Sequence, residues 1–164
     1  MITWTEFEKI NPTLAAAGRA QLYQIPIGLG FLATVRPDGG PRVHPVCPIL
    51  SNAGLHVLIV AGPKQADLRR DGRFALHSET CPPPKEEDGF AVIGRAFQVS
   101  DPSVESVVRD QVRSERDGKV WPTFDTDVLF ELRMERCLLM LTRPDGTFPQ
   151  GPTIFRAPGA SGGR

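Results

Sequence analysis

Arg42 and His44 stand two residues apart, and Lys64 follows the run Ala61-Gly62-Pro63. On a regular strand that spacing puts Arg42 and His44 on one face, with Val43 and Pro45 on the other. Lys64 opens a short helix expected over residues 64–71, and Gly62 just ahead of it lets the backbone approach a bound group closely. A phosphate needs cationic donors and gains from the free N–H groups of a helix N-terminus. A basic strand face opposite such a helix start is therefore suited to hold a phosphorylated ligand. Each residue also fits a plainer role: Lys64 as a solvated lysine, His44 as a strand histidine bonded to nearby backbone, and Arg42 as a surface partner of Asp38.

Other reactive side chains point to less. Cys47, Cys81 and Cys137 are odd in number and far apart, which argues against a disulfide scaffold or a zinc knuckle. Cys47 beside Pro48 reads as a small core residue, with a reactive thiol as the alternative. His44, His56 and His77 fall on three different strands, so no metal site is expected. Arg69, Arg70 and Arg73 with Asp67 and Asp71 read as an ordinary solvated helix face. Trp121 and Phe124 suit either the roof of a planar ring or the core. No nucleophile–base pair is evident.

These residues need elements to place them. Thr3 and Glu6 have capping-box spacing ahead of Trp4, Phe7 and Ile10, and Pro12 starts a second, Ala-rich helix, so residues 1–25 form a helical lead-in. Strands are expected over 31–35, 41–50 and 55–60, a meander joined by Arg36-Pro-Asp-Gly-Gly40 and Ser51-Asn-Ala-Gly54. Pro45 and Pro48 suit an irregular or edge strand. Further strands are expected over 73–78 and 90–99, the latter with a bend or close approach at Gly94. Asp101-Pro102 starts a helix, and two more strands over 128–134 and 137–142 flank a bend at Glu135-Arg136. Residues 81–88 read as a loop and 157–164 as a frayed tail. Six or so strands with few, peripheral helices give a mainly β chain, a small closed barrel, with an α+β sheet as the alternative.

The 164 residues suit one domain over 1–156. Hydrophobic residues at 40% and charged residues at 23% exclude a wholly disordered chain. Lys plus Arg balances Asp plus Glu, 19 against 19, which gives no general electrostatic reason to bind nucleic acid or acidic lipid. No leader and no membrane span are expected, and the cytoplasm is the expected compartment.

Three segments in register resemble the flavin-binding split-barrel family related to pyridoxamine 5'-phosphate oxidase. They are Gly30-Phe-Leu-Ala-Thr-Val-Arg-Pro-Asp-Gly-Gly-Pro-Arg-Val-His-Pro-Val46, Lys64-Gln-Ala-Asp-Leu-Arg-Arg-Asp-Gly-Arg-Phe-Ala-Leu76 and Gly89-Phe-Ala-Val-Ile-Gly-Arg-Ala-Phe-Gln-Val-Ser-Asp-Pro102. The resemblance covers residues 28–115. It implies a split β-barrel, FMN bound at a homodimer interface, and redox chemistry on a small substrate. Deazaflavin or haem is the alternative cofactor, and a carrier or sensor without turnover the alternative function. Carried over by position, the cofactor contacts fall on Arg42, Val43, His44, Pro45, Val46, Gly62 and Lys64. Catalytic residues stay unassigned. The C-terminal segment departs from a true pyridoxamine phosphate oxidase, offering only Arg156 where that enzyme is rich in Trp and Arg. That substrate is not expected.

Overall fold

The structure, a computed structural model, describes residues 1–79, 88–116, 126–143, 145–147 and 149–159. Two helices open the chain, α1 (Trp4–Ile10) and α2 (Pro12–Leu22). The expected capping box is present: the Thr3 hydroxyl receives the Glu6 N–H, and the Glu6 carboxylate receives the Thr3 N–H. Trp4 and Phe7 are buried, whereas Ile10 at the end of that apolar series is exposed.

Among the described residues eight strands follow: β1 (Gly30–Val35), β2 (Pro41–Val46), β3 (Ile49–Ser51), β4 (Gly54–Ile59), β5 (Arg73–Ser78), β6 (Gly89–Gln98), β7 (Val128–Met140) and β8 (Thr153–Arg156). Helix α3 (Pro63–Arg70) lies between β4 and β5, and α4 (Pro102–Glu115) between β6 and β7. The strands form one antiparallel sheet in the order β2-β1-β5-β6-β7-β4-β3, with β8 added to β7. Strands β2 and β3 end this path, yet only Cys47 and Pro48 separate them in sequence. Laid flat, seven strands span roughly 29 Å between the outer two. Three residue steps reach only about 10 Å. The sheet must therefore curl round on itself, and the mainly β split barrel expected from the sequence is the fold observed.

Three details differ from the sequence reading. Residues 41–50 are two strands, because Cys47 and Pro48 carry the chain from one end of the sheet to the other, so no three-strand meander forms. Residues 128–140 are a single strand whose irregularity is a bulge: Ile93 faces Arg136 and Gly94 faces Met134, leaving Glu135 as the extra residue. A Cβ on Gly94 would lie 1.9 Å from the Arg133 carbonyl oxygen, so this crossing admits only glycine. Residues 153–156, which carry no alternation to announce them, pair with β7, and Ala157, placed in the tail by sequence, is buried with its N–H bonded to the Glu135 carbonyl.

Register and burial divide the sheet into two faces. Leu32, Leu76, Val92 and Cys137 lie opposite one another in turn and are fully buried. They share the main core with Trp4, Phe7, Leu22 and Phe90. The alternate residues, such as Phe31, Ala33, Ala75 and Ile93, face outward. Near β3 and β4 the outward face is covered by α4, whose Val108 packs with Ile49 and Leu129.

Candidate functional site

The start of α3 carries two of the seven predicted contacts, Gly62 and Lys64, and a third, Arg42, reaches the same helix at Asp67. Gly62 caps the helix at φ 155°, a conformation side-chain-bearing residues rarely adopt, and a Cβ there would meet nothing within 4 Å. Pro63 follows at the first helical position, where its missing N–H loses no intrahelical bond. Lys64 comes next, half-buried and without a hydrogen bond or ion pair among the described residues. Burial pulls its ammonium below the usual lysine value, and the nearby Cys47 thiol offsets part of that shift. Lys64, Asp67 and Leu68 lie three and four residues apart on one side of α3.

Asp67 is the residue that sequence reasoning missed. Its side chain is 2% exposed and accepts from Thr34 Oγ1 at 3.0 Å, Arg42 Nε at 2.7 Å and Arg70 Nη1 at 3.3 Å. Burial is the largest influence on this carboxyl and acts to raise its pKa. The hydrogen bonds from Arg42, Thr34 and Arg70 together outweigh it and hold the group below the ordinary aspartate value. The solvated helix face expected for Asp67 and Arg70 is thus corrected: Asp67 is buried beneath two guanidinium groups, and Arg70 also donates to the Val35 carbonyl. The signal available was Asp67 standing three residues after Lys64, but two of its three partners, Thr34 and Arg42, come from β1 and β2. Asp71 and Arg73 do pair at the surface, at 2.6 Å.

Arg42 is therefore fixed, not a free surface residue balancing Asp38; Asp38 pairs with Arg36 within the turn. Its Nε is engaged while neither Nη nitrogen bonds a described residue. His44 shares the inward side of β2 with Arg42, opposite Leu32, but lies exposed at the sheet edge. Val43 and Pro45 are exposed on the opposite side, and Val46 belongs to the buried core. The structure thus brings Arg42, Gly62 and Lys64 to one helix and turns Val43 and Pro45 away from it.

A tyrosine holds the crossover that carries Cys47. Tyr23 Oη lies 3.2 Å from the Pro48 carbonyl and 2.9 Å from Glu115, and accepts the Leu50 N–H at 2.9 Å. Burial is the main cause that pushes its phenol well above the ordinary value. Cys47 is half-buried, and Cys137 is a core thiol that burial pushes up to about 12. His56 is buried on β4 with burial depressing its pKa, and His77 lies on β5. Among the described residues no cluster of three or more His, Cys, Asp or Glu side chains is placed to hold a metal ion. No helix there is long and apolar enough to cross a membrane. Cys81, Trp121 and Phe124 lie outside the described residues.

No family model matches the sequence, and neither does any curated protein. Solved structures do resemble it. HutZ, the haem storage protein of Vibrio cholerae, superimposes with a TM-score of 0.58 at 17% identity, over 89% of this chain and 93% of its own. A Listeria innocua protein, provisionally assigned as a pyridoxamine 5'-phosphate oxidase, gives 0.59 at 17% identity over 74% and 93%. An FAD-binding protein of Mesorhizobium loti gives 0.57 at 21% identity over 74% and 89%. At these identities the likeness is one of fold.

Proposed function

We propose that this chain, a split barrel of the fold shared with pyridoxamine 5'-phosphate oxidase-like proteins, binds FMN at the start of α3 and exchanges hydride or electrons with a small substrate in the cytoplasm. The observation that carries the reading is Lys64, a half-buried cation with no carboxylate partner among the described residues, one residue inside a helix N-terminus. A lone buried ammonium is destabilising, and an arriving phosphate relieves it. The donors fit that group: Lys64, the two Nη nitrogens of Arg42 and the first N–H groups of α3. The isoalloxazine supplies the redox chemistry when bound, and the chain's own residues bind and orient it. A deazaflavin is held by the same donors.

A second copy of the chain is part of this proposal. Phe31 is 43% and Val43 58% exposed, on the outward face of adjacent strands β1 and β2. An apolar sheet face of this kind is normally covered, and a two-fold partner is the commonest cover.

Haem binding without turnover is the second reading, favoured by the haem storage protein of the same fold and by His77. Its Nδ1 lies 2.6 Å from the Ser78 carbonyl. That contact makes Nδ1 the donor and leaves the Nε2 lone pair free for iron. The test is the absorption spectrum of purified protein after addition of FMN, deazaflavin or haem. Flavin bands at about 370 and 450 nm in the bound fraction support the first reading, and a Soret band the second. Protein that takes up none of the three overturns both.

A further inference from the structure

Five arginines project from the outward face of the sheet in two neighbouring rows. In the first row Arg73 faces Arg95 and Arg95 faces Arg133. Each of these has an acceptor. Arg73 bonds Asp71 at 2.6 and 2.7 Å, Arg95 Nη1 bonds the Asp71 carbonyl at 3.0 Å, and Arg133 bonds Glu131 at 2.8 Å while lying 5.0 Å over the Phe97 ring.

The second row is built differently. Arg136 of β7 faces Arg156 of β8, with Ile93 of β6 on the other side of Arg136. Among the described residues neither guanidinium makes a hydrogen bond or an ion pair. Side chains directly opposite across an antiparallel pair start from Cβ atoms about 4.5–5.5 Å apart, where two like charges repel. Two residues along the same strands, Leu138 faces Ile154, which is 49% exposed. A pair of unpartnered forks therefore borders an apolar strip on the same surface.

We propose that Arg136 and Arg156 form a second anion-binding site. Its ligand is an organic anion whose phosphate or carboxylate spans the two guanidinium groups and whose apolar body lies along Leu138 and Ile154. Two forks side by side match the planar, bidentate geometry by which arginine recognises carboxylate and phosphate. The site is distinct from the start of α3: Arg136 is four strands from Arg42, roughly 19 Å along the sheet, and on its opposite face. It does not depend on which cofactor α3 holds.

Calorimetric titration of the full chain with phenyl phosphate, benzoate and inorganic phosphate tests it. Phenyl phosphate or benzoate should bind, and Arg136→Gln or Arg156→Gln should weaken that binding about tenfold or more, the worth of one charge-assisted contact. Arg133→Gln, in the compensated row, should leave it unchanged. In low salt without ligand, each of the first two variants should melt about 1–3 °C higher than the parent, because a like-charge pair is relieved. Unchanged affinity in both variants overturns the site, as does loss of binding in Lys64→Ala instead, which would place the anion at α3. Inorganic phosphate binding as tightly as phenyl phosphate overturns the apolar half. A single-stranded oligonucleotide that outcompetes both organic anions, and weakens equally with any of the five arginines removed, overturns the ligand class.

Discussion

Arg42 and Arg136 sit on the same curled sheet, yet their surroundings differ in kind. Arg42 is pinned by a buried carboxylate that also gathers Thr34 and Arg70, so the guanidinium is held in place before any ligand arrives. Arg136 faces Arg156 on one side and Ile93 on the other, with no counter-charge bound to it among the described residues. The first arrangement stabilises the fold and presents the remaining donors at little further entropic cost. The second is a standing repulsion that an anion would relieve. A cation's role is thus read from its counter-charge, not from its identity.

Removing the carboxylate should have the largest effect. Asp67→Ala leaves Arg42 and Arg70 without their shared acceptor and turns the inward station into one like the outward. Because the two guanidinium groups left behind are partly exposed, the loss is that of charge-assisted hydrogen bonds, about 1–3 kcal/mol, read as a lower urea midpoint, and FMN binding should fall with it. Asp67→Glu should recover part of both.

Lys64→Ala should separate binding from stability. FMN affinity is expected to drop about 10- to 150-fold, the range for one charge-assisted contact, while riboflavin, which lacks the phosphate, is little affected. The urea midpoint should hold or rise, since a desolvated ammonium is removed. Equal losses for FMN and riboflavin would show that Lys64 acts through folding.

The outward face carries the oligomer prediction. Phe31→Glu should convert a two-fold dimer to monomer in light scattering at micromolar concentration. A parent protein that scatters as a monomer with cofactor bound rejects the dimer outright.

Acid and base should act on the inward station with opposite signs. The Asp67 pKa is depressed in the fold, so its contribution is complete above the unfolded value of about 3.9 and is lost as pH falls through the folded value. Asp67→Asn should remove that part of the acid transition. The Lys64 pKa is lowered from 10.5, so its penalty on folding is present at neutral pH and fades as pH rises through that lowered value. FMN affinity should weaken over the same alkaline range. The smallest effect is expected at the exposed Arg36–Asp38 pair, where Asp38→Asn should change stability by less than about 0.5 kcal/mol.

Much of this was legible in the chain order. The capping box at Thr3, the Pro12 helix start, the turn at Arg36–Gly40 and the glycine at 94 are set by interactions a few residues long or by a single backbone requirement. Lys64 at a helix start, after a glycine, was legible for the same reason. Other features were decided only when the sheet curled. The two-residue crossover at Cys47-Pro48 sent β2 and β3 to opposite ends of the sheet, and the pairing of β1 with both β2 and β5 brought Thr34 and Arg42 over Asp67. Likewise the Glu135 bulge and the short β8 set Arg136 across from Arg156. These partners lie 20 to 33 residues apart in sequence. Strand register, not local propensity, makes them neighbours, because a shift of one residue would turn each of these side chains to the other face.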